Sequence, residues 1–338
     1  MSTELLEHLG NIEAKDWDIY HHNIGLKPTP KYKTGFVIKT ANNRVEVYNS
    51  DGVLMSTLVG TKSNIIDVLP VPSKGLMLTV SNNTYGDYTF DIFDAKTGVK
   101  HNTISVSTMK SGSVYGCSYD VFENGDIAIL NHANQTLYLY DKDGILKTSL
   151  QNAGNHKLAV CSTKKVIYVG NSSNHTAKIL NADLSIRMNV PFEQYFIGFL
   201  EDGSLVSSST STTGSIRKTL IDYENNQVLS TINSPNLTPT TNYYVYFLRG
   251  IGKKIYLQRV YYSNYELLQL DEDLNVISQP TSFHVQDLDD KYLYSYNGTA
   301  YNVYSRNDLS LLVTVPSSYS SKWIRSTKGD YENFKRYW

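Results

Sequence analysis

The chain has 338 residues, 41% of them hydrophobic, which is ample material for a large core and more chain than one compact core organises unless the architecture is modular. Its 31 basic and 32 acidic residues leave a formal charge of −1, so no net field draws it to nucleic acid or to anionic lipid. No run approaches 18 apolar residues, which excludes a transmembrane helix and predicts a soluble protein without membrane insertion.

The first 33 residues read as an arm. Leu5, Leu6, Leu9 and Ile12 have helical spacing behind the capping residues Ser2 and Thr3, predicting a short amphipathic helix. Glu4, Glu7 and Glu13, with no basic start and no continuous apolar stretch, do not make a signal peptide, so export by the ordinary route is not expected. Leu5 and Leu9 on the helix, with Trp17 and Tyr20 in the run that follows, are the expected partner-docking residues.

From residue 34 the pattern is strand-like and it repeats. A strand ending in an acidic or amide turn and continued by a second strand occurs first at Val45-Glu46-Val47-Tyr48-Asn49-Ser50-Asp51-Gly52. It returns at Phe90 to Gly98, Leu137 to Gly144, Lys178 to Asp183, Leu220 to Asn226, Leu268 to Asp273 and Asn302 to Asp308. These copies lie about 35 to 48 residues apart, the period of a propeller blade. Each has an apolar strand before it and a short strand after it, and a further apolar strand leads into the next unit. With strands named A to D from the inside outward, the chain starts on B-C-D and ends on an A-like strand, Lys322-Trp323-Ile324-Arg325-Ser326, which would complete the first blade. Closing the ring removes exposed sheet edges.

The cadence of strand, acidic-Gly turn and short strand resembles the β-propeller superfamily, in its quinoprotein-like and NHL-like forms. It lacks the Gly-His and Trp-Asp dipeptides of WD40 repeats. The resemblance implies an all-β, seven-bladed propeller of four-stranded antiparallel blades over 34–330, with the arm at 1–33 and a tail at 331–338. It implies no function, since propellers host enzymes and binders alike.

In such a meander the A–B and C–D turns lie on one face of the disc, and the B–C and D–A loops lie on the other. The first set is charged; the second is rich in Asn, Ser, Thr and Tyr. Against 10 phenylalanines and 3 tryptophans the chain has 27 tyrosines, a bias that suits recognition of a neutral glycan or a protein surface. Tyrosine and threonine also suit half-exposed strands, and loops fill with small polar residues for conformational reasons alone. On the recognition reading the ligand contacts are Tyr85, Tyr88, Tyr261, Tyr262 and Tyr265, with His132 and His175 in matching loops of adjacent blades.

Chemistry leaves no linear signature. No HxH or HExxH metal motif, GxSxG elbow, Walker loop or GxGxxG turn is present, so no cofactor and no metal are expected. Asp141-Lys142-Asp143-Gly144 opens like a calcium loop but lacks the closing Glu. Asp67, Asp120 and Asp287 fall in inner strands, where carboxylates serve either glycoside hydrolysis or structure. Cys117 and Cys161 sit in apolar runs and read as buried free thiols. The composition is similar to that of bacteriophage tail or fibre proteins. The expectation is therefore a non-catalytic binding or structural module of a virion, docking through its arm onto other virion proteins. The alternatives are a propeller hydrolase or lyase acting on a sugar or lactone in the central channel, and a cytoplasmic interaction scaffold.

Overall fold

The computed structural model describes residues 35–49, 51–62, 64–71, 74–83, 86–110, 113–114, 116–192, 196–208, 216–237, 244–316 and 324–326. The arm with Leu5, Leu9, Trp17 and Tyr20, the tail and Tyr85 lie outside them.

Among the described residues the chain forms seven four-stranded antiparallel sheets and one two-stranded hairpin. Blade 2 spans 64–107, blade 3 117–150, blade 4 158–190, blade 5 196–233, blade 6 244–281 and blade 7 285–316. Blade 1 is composite. Gly35–Ala41, Arg44–Asn49 and Leu54–Val59 supply three strands, and Ile324–Ser326 from the far end of the chain supplies the innermost, with Val37 opposite Arg325. The expected closing strand is thus present. The seven-bladed, all-β architecture holds over the ring.

Side chains of a strand alternate between its two faces, and here both faces are apolar. Each blade therefore packs against both neighbours, and the buried core of the described residues divides into seven clusters, one per blade interface. Between blades 3 and 4, Leu130, Leu137 and Leu139 meet Leu158, Val160 and Ile167. Between blades 7 and 1, Tyr294, Tyr301 and Val303 meet Phe36 and Ile38, and Tyr301 Oη donates to the Lys39 carbonyl at 2.8 Å. Cys117 and Cys161 are buried and unbonded to each other, each within such a cluster.

The acidic turns repeat for a conformational reason. Asp141 Oδ1 accepts the amides of Asp143 and Ile145, both at 2.9 Å, and Asp271 Oδ1 accepts those of Asp273 and Asn275 at the same distance. These are side-chain-capped hairpin turns, with the carboxylate occupied by backbone. Each C–D turn contains one left-handed residue: Gly52, Gly98, Gly144, Leu184, Asn226, Leu274 or Leu309. A leucine at φ +64° is unfavourable by about 1 kcal/mol. Leu274 stays because its side chain is buried in the interface of blades 5 and 6.

Leu274→Ala is expected to cost about 2–4 kcal/mol by emptying that site. Leu274→Gly loses the same contacts but relieves the backbone, so in denaturant titration glycine will be less damaging than alanine. The reverse order would refute the account of this turn.

Candidate functional site

In an antiparallel meander each inner strand begins on the face that holds the B–C and D–A loops. Among the described residues, two inner strands and their approaches bring a serine, a lysine and histidines together there. Ser118 is the second residue of Cys117–Val121 in blade 3, and Lys157 immediately precedes Leu158–Cys161 in blade 4. Both are buried.

Ser118 Oγ donates to the carbonyl of His156 at 2.7 Å and stands 2.9 Å from Nε2 of His132. Its one proton is committed to the carbonyl, so His132 Nε2–H is the donor to Oγ and Nδ1 is left as the acceptor. Nδ1 faces Gly116, where an added Cβ would lie 3.0 Å from it, and Gly116 itself is exposed. The missing side chain keeps Nδ1 approachable from outside. Burial, reinforced by the charges of His156 and then Lys157, pushes the His132 imidazolium down to about 4, against the hydrogen bond to the His156 backbone, so the ring is neutral at physiological pH. Burial pushes the Lys157 ammonium down to about 7. A lysine poised between charged and neutral at pH 7 can take and return a proton.

Beside this cluster lies an aromatic group. Phe192, in the linker leaving blade 4, has its ring centroid 5.6 Å from that of His156 and 5.3 Å from that of His175, the latter edge to face. The ring passes over Gly170, where a Cβ would lie 3.4 Å from both Phe192 Cε2 and Tyr168 Oη. Asn155 ties the same edge together. Its Oδ1 accepts the Ser172 amide at 2.9 Å, and its Nδ2 donates to Ser173 Oγ at 2.8 Å.

The structure thus brings His132 and His175 into one neighbourhood, bridged by His156 and Phe192. Of the expected tyrosines that the structure describes, Tyr88 comes nearest, hydrogen-bonded to the Cys117 backbone next to Ser118, while Tyr261, Tyr262 and Tyr265 stand apart. Tyr88 lies on Asp87–Asp94, half-buried against the cluster between blades 2 and 3, where burial raises its phenol pKa. Tyr261 and Tyr262 form an edge-to-face pair at 4.6 Å on blade 6, two and three blades away, with Tyr262 77% exposed. Tyr261 pairs directly with Asn264, so the connection is a two-residue turn and not the longer loop expected; Tyr265 sits within the next strand, 5.8 Å from His284.

Inner-strand carboxylates serve as braces. Asp67, Asp120 and Asp287 each accept the amide of the next residue through Oδ1, at 2.9, 3.0 and 2.9 Å, and Asp120 Oδ2 also accepts the Val160 amide of blade 4 at 2.9 Å. Among the described residues no group of three His, Cys, Asp or Glu side chains is placed to hold a metal ion. Sequence reasoning passes over Ser118, His156 and Lys157. The available signal was Gly154-Asn155-His156-Lys157, a lysine abutting a wholly apolar inner strand on a face otherwise almost free of charge.

No protein-family model matches the sequence, and no curated protein matches it significantly. Solved structures do share its fold. A protein from Lactobacillus plantarum aligns at TM-score 0.59 and 14% identity, over 87% of this chain and 99% of its own. A candidate 6-phosphogluconolactonase from Bacteroides uniformis aligns at 0.55 and 16% identity, over 90% of this chain and all of its own. The dihydro-heme d1 dehydrogenase NirN aligns at 0.53 and 14% identity, over 89% of this chain and 78% of its own. At such identities the likeness establishes the propeller and nothing finer.

These neighbours nonetheless overturn the expectation of a non-catalytic chain. The same ring supports a dehydrogenase and a candidate lactonase, so missing linear motifs do not argue against catalysis here.

His132 also makes stability depend on pH. Its folded pKa lies below its ordinary value of 6.5, so between pH 6.5 and 4 the unfolded chain binds the extra proton. The neutral ring's contribution is fully present above pH 6.5 and is lost on acidification toward 4, amounting to about 2–3 kcal/mol. Urea midpoints between pH 7 and 4 should fall less steeply for His132→Gln than for the parent chain; parallel curves would show that the ring is not held neutral.

Proposed function

We propose that the chain is a catalytic propeller that hydrolyses the ester bond of a small polar lactone at the mouth of the channel between blades 3 and 4. The observation that carries this reading is the buried amine of Lys157 beside the Ser118–His132 pair, with its pKa near the pH at which a general base works best. The names of the candidate lactonases among the fold's neighbours agree with it.

Neutral Lys157 takes a proton from water as the oxygen attacks the lactone carbonyl carbon. The tetrahedral species then breaks its bond to the ring oxygen, which leaves with the proton returned by the lysine ammonium. The product is the open hydroxy acid, ionised at neutral pH, and one water is consumed. Ser118 is not the nucleophile, because its hydroxyl proton is held by the His156 carbonyl. Its place is structural: it fixes the His132 ring with Nδ1 turned outward, where that nitrogen can accept a substrate hydroxyl.

With the full chain and a sugar lactone, enzymatic acid release, followed as base consumption at constant pH, should rise with pH through an apparent pKa of about 7. Lys157→Met, which keeps the buried stem, should lower kcat by about 10²-fold or more while the thermal transition persists. A folded Lys157→Met protein with the parent rate would end the proposal.

A further inference from the structure

Blades 3 and 4 are separate sheets, yet side chains fasten their inner strands to each other. At the loop end Ser118 Oγ donates to the His156 carbonyl at 2.7 Å. Two residues on, Asp120 Oδ2 accepts the Val160 amide at 2.9 Å, and past the strand ends Ser162 Oγ accepts the Glu123 amide at 2.9 Å. Each fastening joins a side chain of one blade to the backbone of the other.

Lys157 stands between the first two. Its neighbour His156 is held by Ser118, and Val160, on the strand that Lys157 opens, is held by Asp120. The same stretch is tied to its own blade, where the Gly170 amide donates to the Lys157 carbonyl at 2.9 Å and the His156 amide donates to the Gly170 carbonyl at 3.1 Å. The backbone that carries the lysine is therefore set by both blades. Val160 is buried in the interface between them, so its amide has no water to turn to once Asp120 is removed. A buried N–H without an acceptor is costly, and parting the two strands to admit water relieves it. Desolvation is what lowers the Lys157 ammonium. A carboxylate can act on that amine in two ways of opposite sign: loss of its charge lowers the proton affinity of a lysine, whereas entry of water raises it.

We infer that Asp120 is a positioning residue for the hydrolysis: its hold on Val160 keeps blades 3 and 4 shut at the strand opening where Lys157 stands, and so keeps water from the amine. Asp120 acts through Lys157 and touches no substrate. Its effect on rate rests on the lactone-hydrolase reading; its effect on the amine rests on the seam between the blades alone.

The test compares the full chain with Asp120→Ala, Asp120→Asn and Asp287→Ala. One measurement follows hydrolysis of glucono-1,5-lactone against pH with the spontaneous reaction subtracted. The other titrates the Lys157 side chain by carbon NMR of lysine-labelled protein, its signal assigned by its loss in Lys157→Met. In Asp120→Ala both midpoints should rise from about 7 to about 8 or above, so that kcat near pH 6 falls about tenfold with KM little changed. Asp120→Asn keeps an oxygen for the Val160 amide and should stay within about twofold of the parent rate. Asp287 braces its own strand in blade 7 through the same bond to the next amide, so Asp287→Ala controls for lost stability and should leave both midpoints in place. If Asp120→Ala does not fold, Asp120→Ser, which keeps a hydroxyl for the Val121 amide but falls short of Val160, takes its place with the same expectation.

Midpoints that stay or fall in folded Asp120→Ala, or an Asp120→Asn protein as impaired as Asp120→Ala, would overturn the inference, while hydrolysis by the parent chain would leave the catalytic reading intact. No hydrolysis by the parent, with the Lys157 titration raised in Asp120→Ala and restored in Asp120→Asn, would overturn the catalytic reading and uphold the hold of Asp120 on the amine. No hydrolysis, with Lys157 titrating alike in every chain, would remove both.

Discussion

Everything in this molecule depends on the face-to-face packing of apolar sheets. A sheet with one apolar face can cover it against one neighbour, but these blades are apolar on both faces, and a sheet of that kind is stable only between two others. A row of such sheets has unsatisfied ends unless it bends back on itself. The ring is therefore the solution that leaves no blade uncovered, and the pairing of Ile324–Ser326 with Gly35–Ala41 makes the chain's far end a structural part of its first blade. Burial at every interface is near complete: Val45, Phe90, Leu137, Ile179, Leu268, Val285 and Val303 are all 1% exposed or less.

The same constraint decides where chemistry can stand. Strand interiors are consumed by packing, and the turns on the charged face are consumed by their own backbone, as the Asp141 and Asp271 carboxylates show. What remains is the opening of each inner strand and the linker leading to it. Ser118, His156 and Lys157 lie there, and His132 joins them from the B–C turn of blade 3, so the group is drawn from two blades and the linker between them. Packing pressure also accounts for their electrostatics. An imidazole and an ammonium set against the top of an apolar interface lose solvation, and the charged form of each is disfavoured in consequence.

This arrangement explains why a search for motifs finds nothing. A linear motif records chemistry carried on one turn or helix, whereas here residues 118, 132, 156 and 157 meet through strand pairing and blade packing. The absence of a signature led to the expectation of a purely binding protein, and that inference fails for a fold whose sites are assembled from separate blades. The carboxylates that did look suggestive, Asp67, Asp120 and Asp287, instead brace their own strands, and Asp120 reaches across to hold the amide of Val160 in the next blade.

Local pattern was sufficient for the ring. Alternating apolar residues, Asp and Asn at turn openings and a period near that of a blade are properties of short segments, and each is dictated by backbone geometry acting over a few residues. The turn positions show the limit of that legibility, since Leu184 and Leu274 occupy left-handed sites where sequence would favour glycine, tolerated because a neighbouring blade buries them. Nothing in the segments around Tyr88 or Tyr261 told an interface side chain from an exposed pair, because that depends on which face of a strand meets the next blade. The sequence by itself determined strands, turns and their repetition, where the forces are local. Only the tertiary structure decided that Lys157 and His132 would share one desolvated corner beside Phe192, because burial and proximity belong to blades packed together and not to any one stretch of chain.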